Sequence, residues 1–186
     1  MRATIGSLVI CGALLATSDD SVVSQFNERV EAYAKLRSNA ADKAPALKKK
    51  ATPEEIRGRE LALAEAIRKA RPAAKAGDIL APDVAAMFRR TLKGAFAGER
   101  RTDLKASVKE GNPKHEKAAG EVEPVIAVNG TYPKNAPLST VPPTILARLP
   151  KLPKDLEYRF VGRTLVLRDR EASLIIDYVK EALPAL

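Results

Sequence analysis

The chain has no tryptophan, one histidine, one cysteine, four phenylalanines and four tyrosines among its 186 residues. Each scarcity excludes something. So few aromatics leave a core to be built from aliphatic side chains, and the abundant alanine favours closely packed helices. Transition-metal sites draw mainly on His and Cys, so one of each leaves almost no ligand set. The lone His115 sits in the polar stretch Asn112-Pro113-Lys114-His115-Glu116-Lys117 and reads as an exposed loop residue. A Ser–His–Asp triad needs only one histidine, but no Gly-x-Ser-x-Gly elbow accompanies it. Also missing are an Asp-rich calcium loop, a glycine-rich phosphate loop and a dinucleotide fingerprint. The sequence therefore nominates no cofactor, no metal and no catalytic residue. The adjacent acids Asp19-Asp20 and Glu54-Glu55 stand where helix starts favour negative charge.

What is present begins at the N-terminus. Arg2 is followed by the uncharged apolar run from Ile5 to Ala16, and Ala16-Thr17-Ser18 places small residues at the −3 and −1 positions of a cut before Asp19. That is the three-part layout of a secretory signal peptide. The run is shorter than the roughly 20 apolar residues of a membrane span, and Asp19-Asp20 closes it. Ile10 before Cys11 argues against lipidation. Removal of residues 1–18 takes the only cysteine, so the mature chain is expected to have no disulfide or thiol chemistry. The expected location is periplasmic or secreted, with no membrane span after cleavage.

The formal charge is +9, or +8 once residues 1–18 and their single charge, Arg2, are gone. A basic excess of this size suits an anionic envelope polymer or an acidic protein. Nucleic acid is disfavoured, because no nucleic-acid motif accompanies the charge.

The organisation reads as 1–18 signal peptide, 19–122 helical region, 123–155 Pro-rich connector with a short strand and helix, and 156–186 β-meander packed on the helices. Val23, Phe26, Val30 and Tyr33 share one face of a helix from Asp19 to about Arg37, with a linker over 38–52. Thr52-Pro53-Glu54-Glu55 is a capping box with proline in the first turn, and the helix it opens runs to about Arg71 with Ile56, Leu63 and Ile67 on its buried face. A third helix starts near Pro82-Asp83, its stripe formed by Val84, Met87, Phe88, Leu92 and Phe96. Arg89, Arg90 and Lys93 lie mostly off that stripe as a candidate anion-binding face. A weaker fourth helix spans Glu99 to Lys109.

Seven prolines between Glu123 and Pro153 then exclude one long helix. Val125–Val128 reads as a short strand before an Asn129-Gly130 turn. Asn129-Gly130-Thr131 matches a glycosylation acceptor pattern but is read as that turn. A short helix is expected at Ile145–Leu149. Leu156–Phe160, Thr164–Arg168 and Leu174–Val179 alternate or run apolar as three strands, with Gly162 in the first turn and a terminal helix the alternative for the last segment. The fold class is α+β: three to four helices, a Pro-rich connector and a C-terminal three-stranded antiparallel β-meander.

Two resemblances accompany these patterns. Gly77-Asp78-Ile79-Leu80-Ala81-Pro82-Asp83-Val84-Ala85-Ala86-Met87-Phe88-Arg89-Arg90, followed by Val128-Asn129-Gly130-Thr131-Tyr132-Pro133 and then Val141-Pro142-Pro143, resembles a family of uncharacterised exported bacterial proteins. That resemblance implies export and carries no activity over to this chain. Tyr158-Arg159-Phe160-Val161-Gly162, Val166-Leu167-Arg168-Asp169 and Leu174-Ile175-Ile176-Asp177 are similar to the terminal β-meander of the periplasmic nickel/cobalt homeostasis regulator family. The metal role does not follow, since the ligands are missing. The expected function is a non-catalytic binding or structural module of the cell envelope. The alternatives are a carboxylate-based hydrolase acting on envelope polysaccharide and, if the N-terminus is no signal, a cytoplasmic nucleic-acid binder.

Overall fold

The computed structural model describes residues 18–97, 125–132 and 139–184. Residues 1–17 of the expected signal sequence, Cys11 among them, the fourth helix expected at Glu99–Lys109, and His115 lie outside the described residues. Three long helices come first: α1 (Asp19–Ala41), α2 (Pro53–Ala70) and α3 (Pro82–Ala97). A two-residue strand β1 (Ser139–Thr140) and a one-turn helix α4 (Pro143–Leu146) lead to β2 (Leu156–Val161), β3 (Thr164–Asp169) and β4 (Leu174–Val179). The strands form one antiparallel sheet in the order β1-β2-β3-β4. The class is α+β, and β2–β4 form the meander expected from the sequence.

Local chemistry accounts for the helix ends. Ser18 caps α1. The capping box of α2 is complete: Glu55 N–H donates to Thr52 Oγ1 at 3.2 Å, and Thr52 N–H donates to Glu55 Oε2 at 2.8 Å. Helix α1 runs four residues past Arg37, through the weak helix formers Ser38 and Asn39, because both Arg37 and Ala40 are buried. Tertiary packing overrides propensity there.

The helices cover one face of the sheet. Leu156, Tyr158 and Phe160 of β2, Leu165 and Leu167 of β3, and Leu174, Ile176 and Val179 of β4 share a core with all three long helices. Phe26 on α1 meets Phe88 on α3 edge-on at 5.6 Å, and Phe88 meets Tyr158 on β2 at 5.9 Å, so one aromatic chain crosses both layers. The expected stripe of α3 is buried throughout.

Two helix-face expectations are corrected. On α1, Val22 rather than its neighbour Val23 joins Phe26, Val30 and Tyr33 in the core, and Val23 packs against the core's margin. On α2, Ile56 is 50% exposed, because it lies in the first turn, ahead of the buried Leu63, Ala64 and Ile67.

A register shift between Leu167 and Arg168 leaves Ile176 as an extra residue in β4, with Asp177 opposite Leu167 and Ile175 opposite Arg168. This bulge turns two consecutive residues, Ile176 and Asp177, away from the open face. Ile175 instead joins Val166 and Tyr132 in a small apolar cluster on the opposite side.

Segment 125–128 is not a strand. Its pairing falls after the turn: Asn129 N–H donates to Ile175 O, Ile175 N–H to Gly130 O and Tyr132 N–H to Ser173 O. Residues 129–132 thus lie along the outer edge of β4. Gly130 N–H closes the turn onto Ala127 O, with Asn129 at φ 60°, a conformation asparagine tolerates. Asn129 Nδ2 donates to Arg71 O at 3.0 Å, which commits the nitrogen that glycosylation would need.

Candidate functional site

Two fully buried carboxylates organise the interface between the layers. Asp177, 0% exposed, accepts at Oδ1 from Gly77 N–H at 2.9 Å and at Oδ2 from Ile79 N–H at 2.9 Å and Leu80 N–H at 2.8 Å. The α2–α3 loop, with Gly77 at φ 89°, therefore wraps an anion supplied by the chain itself. Successive backbone donors of this kind form a nest. Asp169, also 0% exposed, accepts at Oδ2 from Tyr33 Oη (2.9 Å) and Arg37 Nε (2.8 Å) and at Oδ1 from Ala172 N–H (2.9 Å). Arg37 reaches on to Glu171 at 2.6 Å and Asp155 at 3.4 Å, and Arg59 holds the other oxygen of Glu171 at 2.5 Å.

The consequences for ionisation follow from this wiring. Burial, reinforced by the charge of Asp169, drives the Tyr33 phenol far above its ordinary range. Burial alone would raise Glu171, but the hydrogen bonds from Arg59 and Arg37 outweigh it and hold the carboxyl below its usual range.

The open face carries a second charged cluster. Glu157 on β2 sits opposite Arg168 on β3. Arg168 Nη1 donates to its Oε1 at 2.8 Å, and Arg159 Nη2 to its Oε2 at 2.7 Å. Arg170 Nε stands 3.9 Å from the same carboxylate. The Arg168 guanidinium stacks 4.6 Å above the Tyr132 ring. Desolvation would raise Glu157, yet the two arginines more than offset it and the carboxyl lies below its usual range. Arg159 Nε, Arg168 Nε and Tyr132 Oη are buried without a hydrogen-bond partner among the described residues.

Where β2 begins and β3 ends, the two clusters flank an open groove of about 570 Å³, lined by Lys154, Asp155, Glu157, Arg159, Arg168, Arg170 and Glu171. In and behind the groove, five arginines (Arg37, Arg59, Arg159, Arg168, Arg170) share four carboxylates (Asp155, Glu157, Asp169, Glu171), and Lys154 lines the groove beside them.

The face nominated from sequence lies elsewhere, on α3. Arg89 donates to Lys180 O at 2.9 Å, and Arg90 pairs with Asp19 at 2.6 Å. Lys93 is exposed on the same helix. Two of these three cations thus make intramolecular contacts, the Arg90 pair in a solvent-exposed setting where an ion pair contributes little.

Neither a family model, a curated protein nor a solved structure matches this chain. Among the described residues no helix is long and apolar enough to cross a membrane, and no three His, Cys, Asp or Glu side chains converge as a metal site would require.

Proposed function

We propose that this chain is an exported cell-envelope protein that binds an anionic polymer and catalyses no reaction. The export part rests on the N-terminal layout, Arg2 followed by the Ile5–Ala16 run and small residues before Asp19, and on the resemblance to uncharacterised exported proteins. The binding part rests on one observation: the charged groove carries more cations than carboxylates, on a chain of formal charge +9.

The same groove bears on the hydrolase alternative. Glycosidase chemistry needs one carboxyl kept protonated and one ionised. Glu157 and Glu171 both line the groove, and arginines push both below the ordinary range. Neither is placed to donate a proton at neutral pH. The buried acids Asp169 and Asp177 spend their oxygens on backbone and side-chain donors of the scaffold.

The test is retention of the full chain on isolated envelope material, before and after protease treatment, across a salt gradient. Retention that survives protease and falls as salt rises supports a charged polymer as partner. Retention indifferent to salt removes the electrostatic reading, and retention lost on protease treatment replaces the polymer with an acidic protein.

A further inference from the structure

We infer that the groove between the start of β2 and the end of β3 is where the anion is held, and that the group it takes is a phosphate. The inference rests on the binding reading above and adds a place and a chemical class to it.

Backbone geometry brings the exposed cations together. Arg170 N–H donates to Asp155 O at 2.9 Å, and the Arg170 guanidinium donates to Lys154 O at 3.3 Å. Lys154 and Arg170 therefore stand side by side at the groove mouth, Arg170 with 62% of its side chain exposed. Arg159 and Arg168 form the floor, and both are already bonded to Glu157. On the helix side, Glu171 is bonded by Arg37 and Arg59 and Asp155 is approached by Arg37, so those carboxylates are engaged from behind. Glu157 is the acid that Arg159, Arg168 and Arg170 approach.

Acceptor count together with charge selects the ligand class. The groove lining of four cations and three carboxylates has one positive charge in excess, and two of those carboxylates, Asp155 and Glu171, are already engaged from the helix side by Arg37 and Arg59. A phosphate monoester or inorganic phosphate carries about −1.5 to −2 at neutral pH and at least three acceptor oxygens, against one charge and two oxygens for a carboxylate. Arginine forks and a lysine point charge are the side chains that recognise phosphate oxygens. The volume falls within the roughly 300–1,000 Å³ of ligand pockets, which leaves room for a phosphate together with the group that bears it.

The experiment titrates the full chain with inorganic phosphate, with long-chain polyphosphate and with polyglutamate, by calorimetry at several salt concentrations. The variants are Lys154→Ala/Arg170→Ala, both positions being exposed, and Arg90→Ala/Lys93→Ala on α3. The expected result is polyphosphate binding that weakens at least tenfold in the groove variant, with a salt dependence shallower by about two counterions, and stays within twofold in the α3 variant. Saturation by inorganic phosphate as tight per phosphate as by the polymer identifies the free ion as the source; tighter binding of the polymer identifies the chain-borne group.

Equal polyphosphate binding by the wild type and the groove variant overturns the location while leaving the anion-binding reading intact. Polyglutamate binding as tight as polyphosphate, lost in the same variant, overturns the phosphate assignment. No binding of any anion by the wild type removes the binding reading itself.

Discussion

Replacing Asp177 with asparagine keeps the size of the side chain and removes its charge and one acceptor oxygen. In the native structure three loop amides, from Gly77, Ile79 and Leu80, donate to the two carboxylate oxygens. The asparagine oxygen can serve one side of that arrangement. The NH2 group then faces at least one loop N–H with nothing to accept it. An orphaned buried donor costs about 1–3 kcal/mol, and hydrogen bonds to a charged acceptor contribute about 1.5–3 kcal/mol each. Losing the charge on all three bonds and orphaning one or two donors gives roughly 3–5 kcal/mol. Total stabilities of about 5–15 kcal/mol make this a large fraction. For a chain of this size the melting temperature should fall by about 10 °C. Thermal and urea unfolding of Asp177→Asn measure the loss, and amide exchange at Gly77, Ile79 and Leu80 locates it. A variant within about 1 kcal/mol of wild type, with those three amides still protected, would show that the nest does not hold the α2–α3 loop.

Arg37→Met should cost about 3–5 kcal/mol, because it leaves Asp169 buried with only Tyr33 Oη and Ala172 N–H as partners; a chemical-denaturation curve matching wild type contradicts this. Thr52→Ala breaks the capping box of α2 and should cost about 1 kcal/mol, read as a small drop in melting temperature with no change in m-value. Glu157 and Glu171 have folded pKa values below their unfolded ones. Their contribution is therefore present above about pH 4.3 and lost as pH falls through the folded values. Stability followed from pH 6 to pH 2 should decline in that window, and Glu157→Gln should flatten the decline; a flat wild-type profile counts against the arginine pairing. Tyr33 is displaced the opposite way, upward, so its contribution is complete below about pH 10, the unfolded value, and is lost as pH rises above it. Alkaline unfolding of Tyr33→Phe should show a weaker pH dependence than that of wild type.

Much of the architecture is legible in the sequence because it is written in local chemistry. The Thr52–Glu55 box, the Pro82 start of α3, the stripe from Val84 to Phe96 and the Gly162 turn are short-range signals, and each appears in the fold as read. Long-range effects are where the reading stops. Ile56 fits the helical period but lies beyond the reach of α2's partners, and period alone cannot show where a neighbouring surface ends. Segment 125–128 has the composition of a strand, yet its neighbours 129–132 pair with β4, because a turn can hand the pairing to either side.

The charged site is less legible still. Asp177 stands alone in the apolar run Leu174–Val179, and a lone acid in a buried strand signals that donors await it. Which donors they are depends on the α2–α3 loop, some 100 residues earlier. In the sequence, Asp169-Arg170-Glu171-Ala172 reads only as the connection between two strands. Only the folded chain shows Arg37 and Arg59 arriving from two helices to engage it. Arg89, Arg90 and Lys93 are conspicuous because helical spacing gathers them. Lys154, Arg159, Arg168 and Arg170 are gathered by strand pairing, for which the sequence offers no spacing rule.

The proposed setting of this protein depends on where the chain ends up and what has been removed from it. N-terminal sequencing of the protein recovered from the envelope and extracellular fractions of its native host decides both at once. The account predicts a species starting at or close to Asp19 in those fractions. A chain that retains Met1 and remains in the cytosol contradicts it.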